Sequence, residues 1–354
     1  MRFLVPMVFL CGLAVAKADT VLLADGEALA ANSVQIDSEG NFLVDGQSYA
    51  TAQIVQWLTE HPPTVGAAHG VRFRDGQLTL GTLVSADAGT ISLRAEPLGQ
   101  TLAIPRADIA EILFFRRDPK AERAKIPEGT DMGLLLRPGV EPVPCQLDGI
   151  GGGKVAVSTK IGQFFLPIET LGRYVMSGRD EPWNVETNGW EIGLTDGSVF
   201  HGNLSGEAGK VTLQTTGKQN FTLPLNAIRY VRNPGAANWL PLWKSGKALQ
   251  DGLGYKEVPD WAHGVYLTVG EALALPASAT GELRIHAIMT HHDNARLIIS
   301  RDGQELDSRD ISNTPSILTL SIPEGSELTF RIESSKPYAT AILSDLVIIR
   351  KDAK

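Results

Sequence analysis

Trp190-Glu191-Ile192-Gly193-Leu194-Thr195-Asp196-Gly197, followed downstream by Leu223-Pro224-Leu225, Ile228 and Val231, decides the fold, because the chain repeats it. Val71-Arg72-Phe73-Arg74-Asp75-Gly76, followed by Ile104-Pro105, Ile109 and Ile112, is the same pattern. Apolar residues at every second position ahead of Asp-Gly predict a strand with one face turned to a core. Asp-Gly supplies the reversal of an antiparallel pair, since glycine accepts positive φ without steric cost. Leu78, Leu80, Ile91, Leu93, Leu102 and Ile104 continue the period of two. Pro105 interrupts the ladder, and the helical spacing of Ile109 and Ile112 predicts one turn before a last short strand. The unit is therefore five short strands and a turn, closed into a small barrel.

Four such units follow one another. The second spans residues 69–115 and the fourth 189–232, the latter carrying Trp190, Ile192, Leu194, Val211, Leu213, Phe221, Leu223, Ile228 and Val231. The first, residues 19–60, opens on Val21-Leu22-Leu23-Ala24-Asp25-Gly26 and closes on Ile54-Val55-Gln56-Trp57. The third, residues 131–176, is degenerate: Arg137-Pro138-Gly139 replaces the Asp-Gly turn, while Phe164, Leu166, Pro167, Ile168 and Leu171 keep the ending. At roughly 40–50 residues each unit is too small for a secure core of its own, which predicts packing of barrel on barrel, pairwise or in a row. Polar connectors separate the units, among them Glu60 to Ala67 and the linker 116–130, where Asp118-Pro119 predicts a short capped helix.

Residues 233–354 have another rhythm. Longer strands are predicted at 265–269, 283–290, 295–300, 317–322, 328–333 and 341–349, with turns at Arg301-Asp302-Gly303-Gln304 and Pro323-Glu324-Gly325-Ser326. Even spacing with turn signals predicts an antiparallel, jelly-roll-like β-sandwich. The fold class read from the sequence is all-β, tandem five-stranded barrels followed by a β-sandwich.

The chain of 354 residues has the 43% hydrophobic and 20% charged content of a folded protein. Residues 1–18 stand apart: Arg2, an apolar run from Phe3 to Val15, and Ala16-Lys17-Ala18 have the form of a signal peptide. That run is shorter than the roughly 20 residues a membrane helix needs. Cleavage before Asp19 removes two cations and no acid, taking the formal charge from −8 to −10. Such a balance opposes nucleic-acid binding, which rests on neutralised phosphates. Cleavage also removes Cys11 and leaves Cys145, alternating with Val143 and Leu147, as a buried inert thiol. An exported chain of small domains without a disulfide fits a bacterial envelope, and its expected place is the periplasm, the cell surface or the medium.

On the Asp-Gly hairpin and the Leu/Ile-Pro-x-x-x-Ile ending, residues 19–232 resemble tandem Sm-like small barrels of secreted bacterial proteins. Fold alone does not bring over the RNA binding that this resemblance implies. Residues 239–350 resemble NPCBM-type carbohydrate-binding modules and related galactose-binding-like sandwiches. The matching order is Asp251-Gly252-Leu253-Gly254-Tyr255, Trp261-Ala262-His263-Gly264, Thr290-His291-His292-Asp293-Asn294, the 301–304 hairpin and Asp345-Leu346-Val347-Ile348. A single Asp293 stands where that family often has paired acids, and no tryptophan lies near the last strand.

The motifs with catalytic potential resolve otherwise. His291 and His292 are adjacent at a strand end and point to opposite faces, so with Asp293 they read as a polar loop, not a metal site. In Gly149-Ile150-Gly151-Gly152-Gly153-Lys154 a valine follows the lysine and a strand follows the valine, which makes a hairpin turn rather than a phosphate loop. No Gly-x-Ser-x-Gly, Cys-x-x-Cys or His-Glu-x-x-His occurs, and no cofactor is implied. Trp239 and Trp243 read as cement between the last barrel and the sandwich, and Trp261 and Tyr266 divide between that role and ligand contact. The candidate ligand-binding set is Trp261, His263, Tyr266, His291, His292, Asp293, Asn294 and Arg296. Their aromatic faces, carboxylate, amide and guanidinium suit a sugar. The sequence thus predicts a non-catalytic exported protein that binds a glycan or an envelope protein through its sandwich, with the barrels as scaffold. A protein-interaction scaffold without sugar binding is the second reading, and a hydrolase using His291, His292 or Asp293 the third.

Overall fold

The structure, a computed structural model, describes residues 18–61, 69–114, 132–137, 140–176, 189–207, 209–215, 220–240, 264–290 and 294–350. The signal segment, apart from Ala18, and the linker 116–130 with its expected helix lie outside the described residues. Within them the protein is all-β. Thirty strands pair antiparallel, and the helical elements are four 3-10 turns.

The first unit contains β1 (Asp19–Leu23), β2 (Ala28–Ala31), β3 (Val34–Ile36), β4 (Phe42–Val44), β5 (Gln47–Tyr49) and β6 (Ile54–Leu58). The second contains β7 (His69–Phe73), β8 (Leu78–Ala86), β9 (Thr90–Ala95), β10 (Gln100–Pro105) and β11 (Ile109–Leu113). The third has β12 (Gly133–Arg137), β13 (Val140–Gly151), β14 (Lys154–Thr159), β15 (Gly162–Pro167) and β16 (Arg173–Val175). The fourth has β17 (Trp190–Leu194), β18 (Val199–Glu207), β19 (Lys210–Thr215), β20 (Asn220–Pro224) and β21 (Ile228–Arg232). In every unit a 3-10 turn precedes the last strand, and that strand returns to pair with the first. The Asp-Gly turns repeat in detail. Asp25, Asp75 and Asp196 each accept, through Oδ1, the backbone N–H two residues on, at 2.9, 3.1 and 2.8 Å. The glycine beside each has φ near +90° (92°, 88° and 97°), a region closed to most side chains.

The units join in a nested order. The last strand of the first, β6, pairs with the last strand of the fourth, β21, through Gln56↔Arg232, Trp57↔Val231 and Leu58↔Tyr230. In the same manner β11 of the second pairs with β16 of the third. Each couple shares one core: Val21, Phe42, Ile54 and Trp57 pack with Trp190, Ile192, Phe200 and Val231, and Val71, Ile91 and Ile112 with Cys145, Val155 and Tyr174. This is the physical answer to the small size of each unit, since pairing converts two marginal cores into one of adequate size. Cys145 is buried, which pushes its thiol up to about 11. The two couples meet where β8 touches β18 at Leu78↔Val199, sealed by Leu80 and Leu113, with Ser198 Oγ accepting the Leu80 N–H at 2.9 Å.

The sandwich follows. One sheet holds β22 (Asn238–Trp239), β23 (Val265–Thr268), β25 (Gly281–Met289), β28 (Ser316–Ile322) and β30 (Thr340–Ile349); the other holds β24 (Ala272–Pro276), β26 (Ala295–Arg301), β27 (Gln304–Ile311) and β29 (Glu327–Glu333). Leu267, Leu283, Ile285, Leu297, Ile299, Phe330 and Leu343 fill the space between them. Besides the two-residue β22, two of these strands, β24 and β27, escape the sequence reading. The first is short and proline-terminated, and the second, Gln-Glu-Leu-Asp-Ser-Arg-Asp-Ile, is a charged edge strand of the kind that discourages further pairing.

Candidate functional site

Of the eight residues singled out from the sequence, Trp261, His263, His291, His292 and Asp293 lie outside the described residues. Tyr266, Asn294 and Arg296 are described. Val265 and Leu267 enter the sandwich core, so Tyr266 between them faces outward from the first sheet. Leu297 and Ile299 enter the same core from the second sheet, so Arg296 faces outward on the opposite side. The fold therefore does not bring Tyr266 and Arg296 together.

The two ends of the sandwich differ. At one end Asp302, with φ of 48°, accepts Ser326 Oγ at 2.7 Å and the backbone N–H groups of Ser326 and Glu327 at 3.0 and 2.9 Å. These hydrogen bonds, that from the Ser326 side chain foremost, hold its carboxyl below the ordinary carboxylate range. A Cβ on Gly325 would lie 2.2 Å from Arg301 Nε, so the hairpin turn and the turn before β29 pack closely against each other here.

At the other end the connections after β23, β25, β27 and β29 gather and are laced by their backbones. Met289 N–H donates to Ser312 O at 2.8 Å, Thr290 N–H to Thr340 O at 3.0 Å, and Val269 N–H to Ala339 O at 3.1 Å. Ser334 Oγ donates to Asn294 O at 3.3 Å. From this frame Tyr338 projects with 85% of its surface exposed. Asn294 is exposed at this end, tied through its carbonyl to Ser334, and Arg296 follows as the register partner of Glu333 and lies 3.7 Å from Asp310. An aromatic face, an amide and a guanidinium–carboxylate pair on a rigid frame can stack on a ring and hydrogen-bond its hydroxyls. Tyr338 is the residue that the sequence reading misses. The available signal was a tyrosine inside Ser334-Ser335-Lys336-Pro337-Tyr338, a turn-forming stretch with no buried face to join.

A dense group of ionisable side chains lies elsewhere, in the joint between barrels and sandwich. His201, Glu191, Arg232 and Gln56 are register neighbours in a row across β18, β17, β21 and β6. All are turned away from the core and all are buried. Arg232 lies 3.6 Å from Glu191 and pairs directly with Asp345 of β30, and its guanidinium sits 3.8 Å over the Trp239 ring. Gln56 Nε2 donates to both Asp345 oxygens, at 3.2 and 3.1 Å. Asp345 has φ of 54°, and β25 shifts register opposite it between Arg284 and His286. His286 Nδ1 is 3.7 Å from Asp345 Oδ2, and burial, with help from Arg232 and Arg284, pushes its pKa down to about 4. Leu22, Val55, Val347 and Ile349 close over the joint. Trp239 is at the seam, its Nε1 donating to Asn233 O at 3.2 Å, which is the cementing position inferred from the sequence. Sealed on every side, this group fastens the sandwich and is not open to a ligand. Among the described residues no three His, Cys, Asp or Glu side chains are placed to hold a metal, and no helix is long and apolar enough to cross a membrane.

No family model matches the chain, and no curated protein matches it, so the Sm-like and NPCBM-type resemblances rest on their sequence motifs. Solved structures give distant likenesses. The carbohydrate-binding module CBM36 in complex with calcium and xylotriose aligns over 23% of this chain and 75% of its own, at 17% identity and a TM-score of 0.20. A Family 29 carbohydrate-binding module aligns over 24% of this chain and 64% of its own, at 12% identity and a TM-score of 0.20. The insecticidal delta-endotoxin Cry8Ea1 from Bacillus thuringiensis aligns over 94% of this chain and 52% of its own, at 8% identity and a TM-score of 0.24. At such scores the likeness carries no argument about function.

Proposed function

We propose that this chain is a non-catalytic exported binding protein in which the nested barrels form a rigid base and the open end of the sandwich takes a glycan. One observation carries the reading: Tyr338 stands exposed on a hydrogen-bonded frame of loops, at the end of the sandwich where Thr290 and Asn294 flank His291-His292-Asp293 in the chain. Loops at a sandwich end vary without cost to the core, which is why such ends hold ligands. A glycan array followed by calorimetry tests it. Tyr338→Ala is expected to weaken sugar binding at least tenfold, about 1.4 kcal/mol, with an unchanged melting temperature. Asp293→Ala and Trp261→Ala are expected to do the same. A blank array sinks the proposal, and glycosidase or esterase turnover abolished by His292→Ala overturns its non-catalytic part.

A second reading, a protein-interaction scaffold without sugar binding, is favoured by a different observation. Three large exposed apolar side chains, Ile161, Phe164 and Phe165, lie within five residues of one another in the chain, at and beside one edge strand of the third barrel. Partner capture by the barrels alone, with a blank glycan array, would select it.

A further inference from the structure

The four barrels allow a comparison of equivalent positions within one chain. Pro105, Pro167 and Pro224 cap the 3-10 turns of the second, third and fourth units, and Ala50 holds that place in the first. Counting back two residues gives Ser48, Ala103, Phe165 and Thr222, every one of them exposed. The fold turns this position to solvent in all four units, and three fill it with a small or hydroxylated residue. The third presents a phenylalanine, 63% exposed.

Counting back three gives Gln47, Leu102, Phe164 and Phe221. Phe221 is 5% exposed within the core shared by the first and fourth barrels. Leu102 is half-buried, packed against that same core as well as its own. Phe164 has no such cover and is 40% exposed, and Ile161 at the adjoining turn is 86% exposed. The strand that carries these residues, β15, pairs in register with β14 alone among the described residues. Among the described residues no strand pairs with its other edge, and open edges with apolar side chains invite a further strand.

We infer that β15 is the self-association edge of this protein, pairing antiparallel with β15 of a second copy about a twofold axis. Three features point to a second copy. The chain already joins its own barrels by antiparallel edge pairing, β6 with β21 and β11 with β16. From Ile161 to Ile168 the edge carries no charge, so nothing repels an identical strand. Lys160 and Glu169 lie two residues outside the two ends of β15, so antiparallel pairing centred on Phe164 and Phe165 brings Lys160 of each copy toward Glu169 of the other. A twofold contact is self-complementary in this way. Successive strand residues face opposite sides, so in this register Phe164 of each copy lies opposite Phe165 of the other, and both pairs lose water on pairing. The inference does not depend on glycan binding.

Sedimentation equilibrium on the purified full chain tests it. A reversible dimer is expected, and Phe165→Thr, the residue of the fourth barrel, is expected to weaken it at least tenfold with an unchanged melting temperature. Lys160→Glu is expected to weaken it as well, and adding Glu169→Lys to restore it. A chain that stays monomeric at all concentrations overturns the inference, as does a dimer indifferent to both substitutions. A monomer that floats with phosphatidylcholine vesicles through Phe165 also overturns it, assigning the face to lipid.

Discussion

The couple formed by the first and fourth barrels and the couple formed by the second and third are built from the same repeat, yet they end differently. The first couple is closed. Its shared sheet turns Gln56, Glu191 and Arg232 outward, and the sandwich covers them with Asp345 and His286. The second couple meets the first along β8 and leaves the far edge of the third barrel uncovered, with Phe164 and Phe165 on it. The difference shows that burial in this protein is decided by which barrel neighbours which, and only partly by the side chain at the position. Both couples bury charges that they pair internally, Glu191 with Arg232 in one and Glu111 with Arg72 and Arg173 in the other, but only in the first does a further domain add Asp345 to the group.

The comparison can be broken most sharply at Arg232. Arg232→Ala leaves Glu191 and Asp345 buried without their cation, and the predicted loss is about 3–5 kcal/mol, read by urea denaturation. A loss below about 1 kcal/mol would mean that the joint is hydrated. Next in size is a pH effect. His286 titrates near 4 in the folded chain against its ordinary 6.5, so the folded state favours the neutral ring. The contribution is complete above pH 6.5 and is lost as pH falls toward 4, by about 3 kcal/mol at most. His286→Gln is expected to flatten stability between pH 6.5 and 4, and an unchanged slope there would remove His286 from the joint's acid response.

A smaller effect is expected inside the closed couple. A Cβ on Gly193 would stand 1.9 Å from the Tyr230 ring, so Gly193→Ala forces the ring aside at about 1–3 kcal/mol. Equal stability of this variant and the parent would show that Tyr230 has room to move. The smallest effect belongs to the open edge. Phe165→Thr on the third barrel is expected to change monomer stability by no more than about 0.5 kcal/mol, because the side chain is exposed. A larger loss would place Phe165 in a core and erase the contrast between the couples.

Much of the fold was legible in the chain. Asp25-Gly26, Asp75-Gly76 and Asp196-Gly197 announce three hairpins because an aspartate that accepts the second following N–H and a glycine at positive φ are local requirements. Pro105, Pro167 and Pro224 announce the 3-10 turns for the same reason, since proline ends a ladder wherever it stands. Glycines 152 and 153, at φ of 57° and 70°, make the hairpin that their sequence implied in place of a phosphate loop. The candidate site was less legible. Asn294 and Tyr338 lie 44 positions apart in the chain. Only the hydrogen bonds that tie the strand-end connections together place them at one end of the sandwich.

The sequence alone determines the elements here, because alternation, turn chemistry and caps act over a few residues and carry their physics with them. Tertiary structure decides the partners: the nesting of first with fourth and second with third, the burial of Glu191, Arg232 and His286, and the exposure of Phe165. An arginine with its guanidinium over a tryptophan and against a distant aspartate has the same local pattern as an arginine in water. Its aspartate, Asp345, and its strand neighbour Gln56 both come from more than a hundred residues away, and no periodicity within β21 records them.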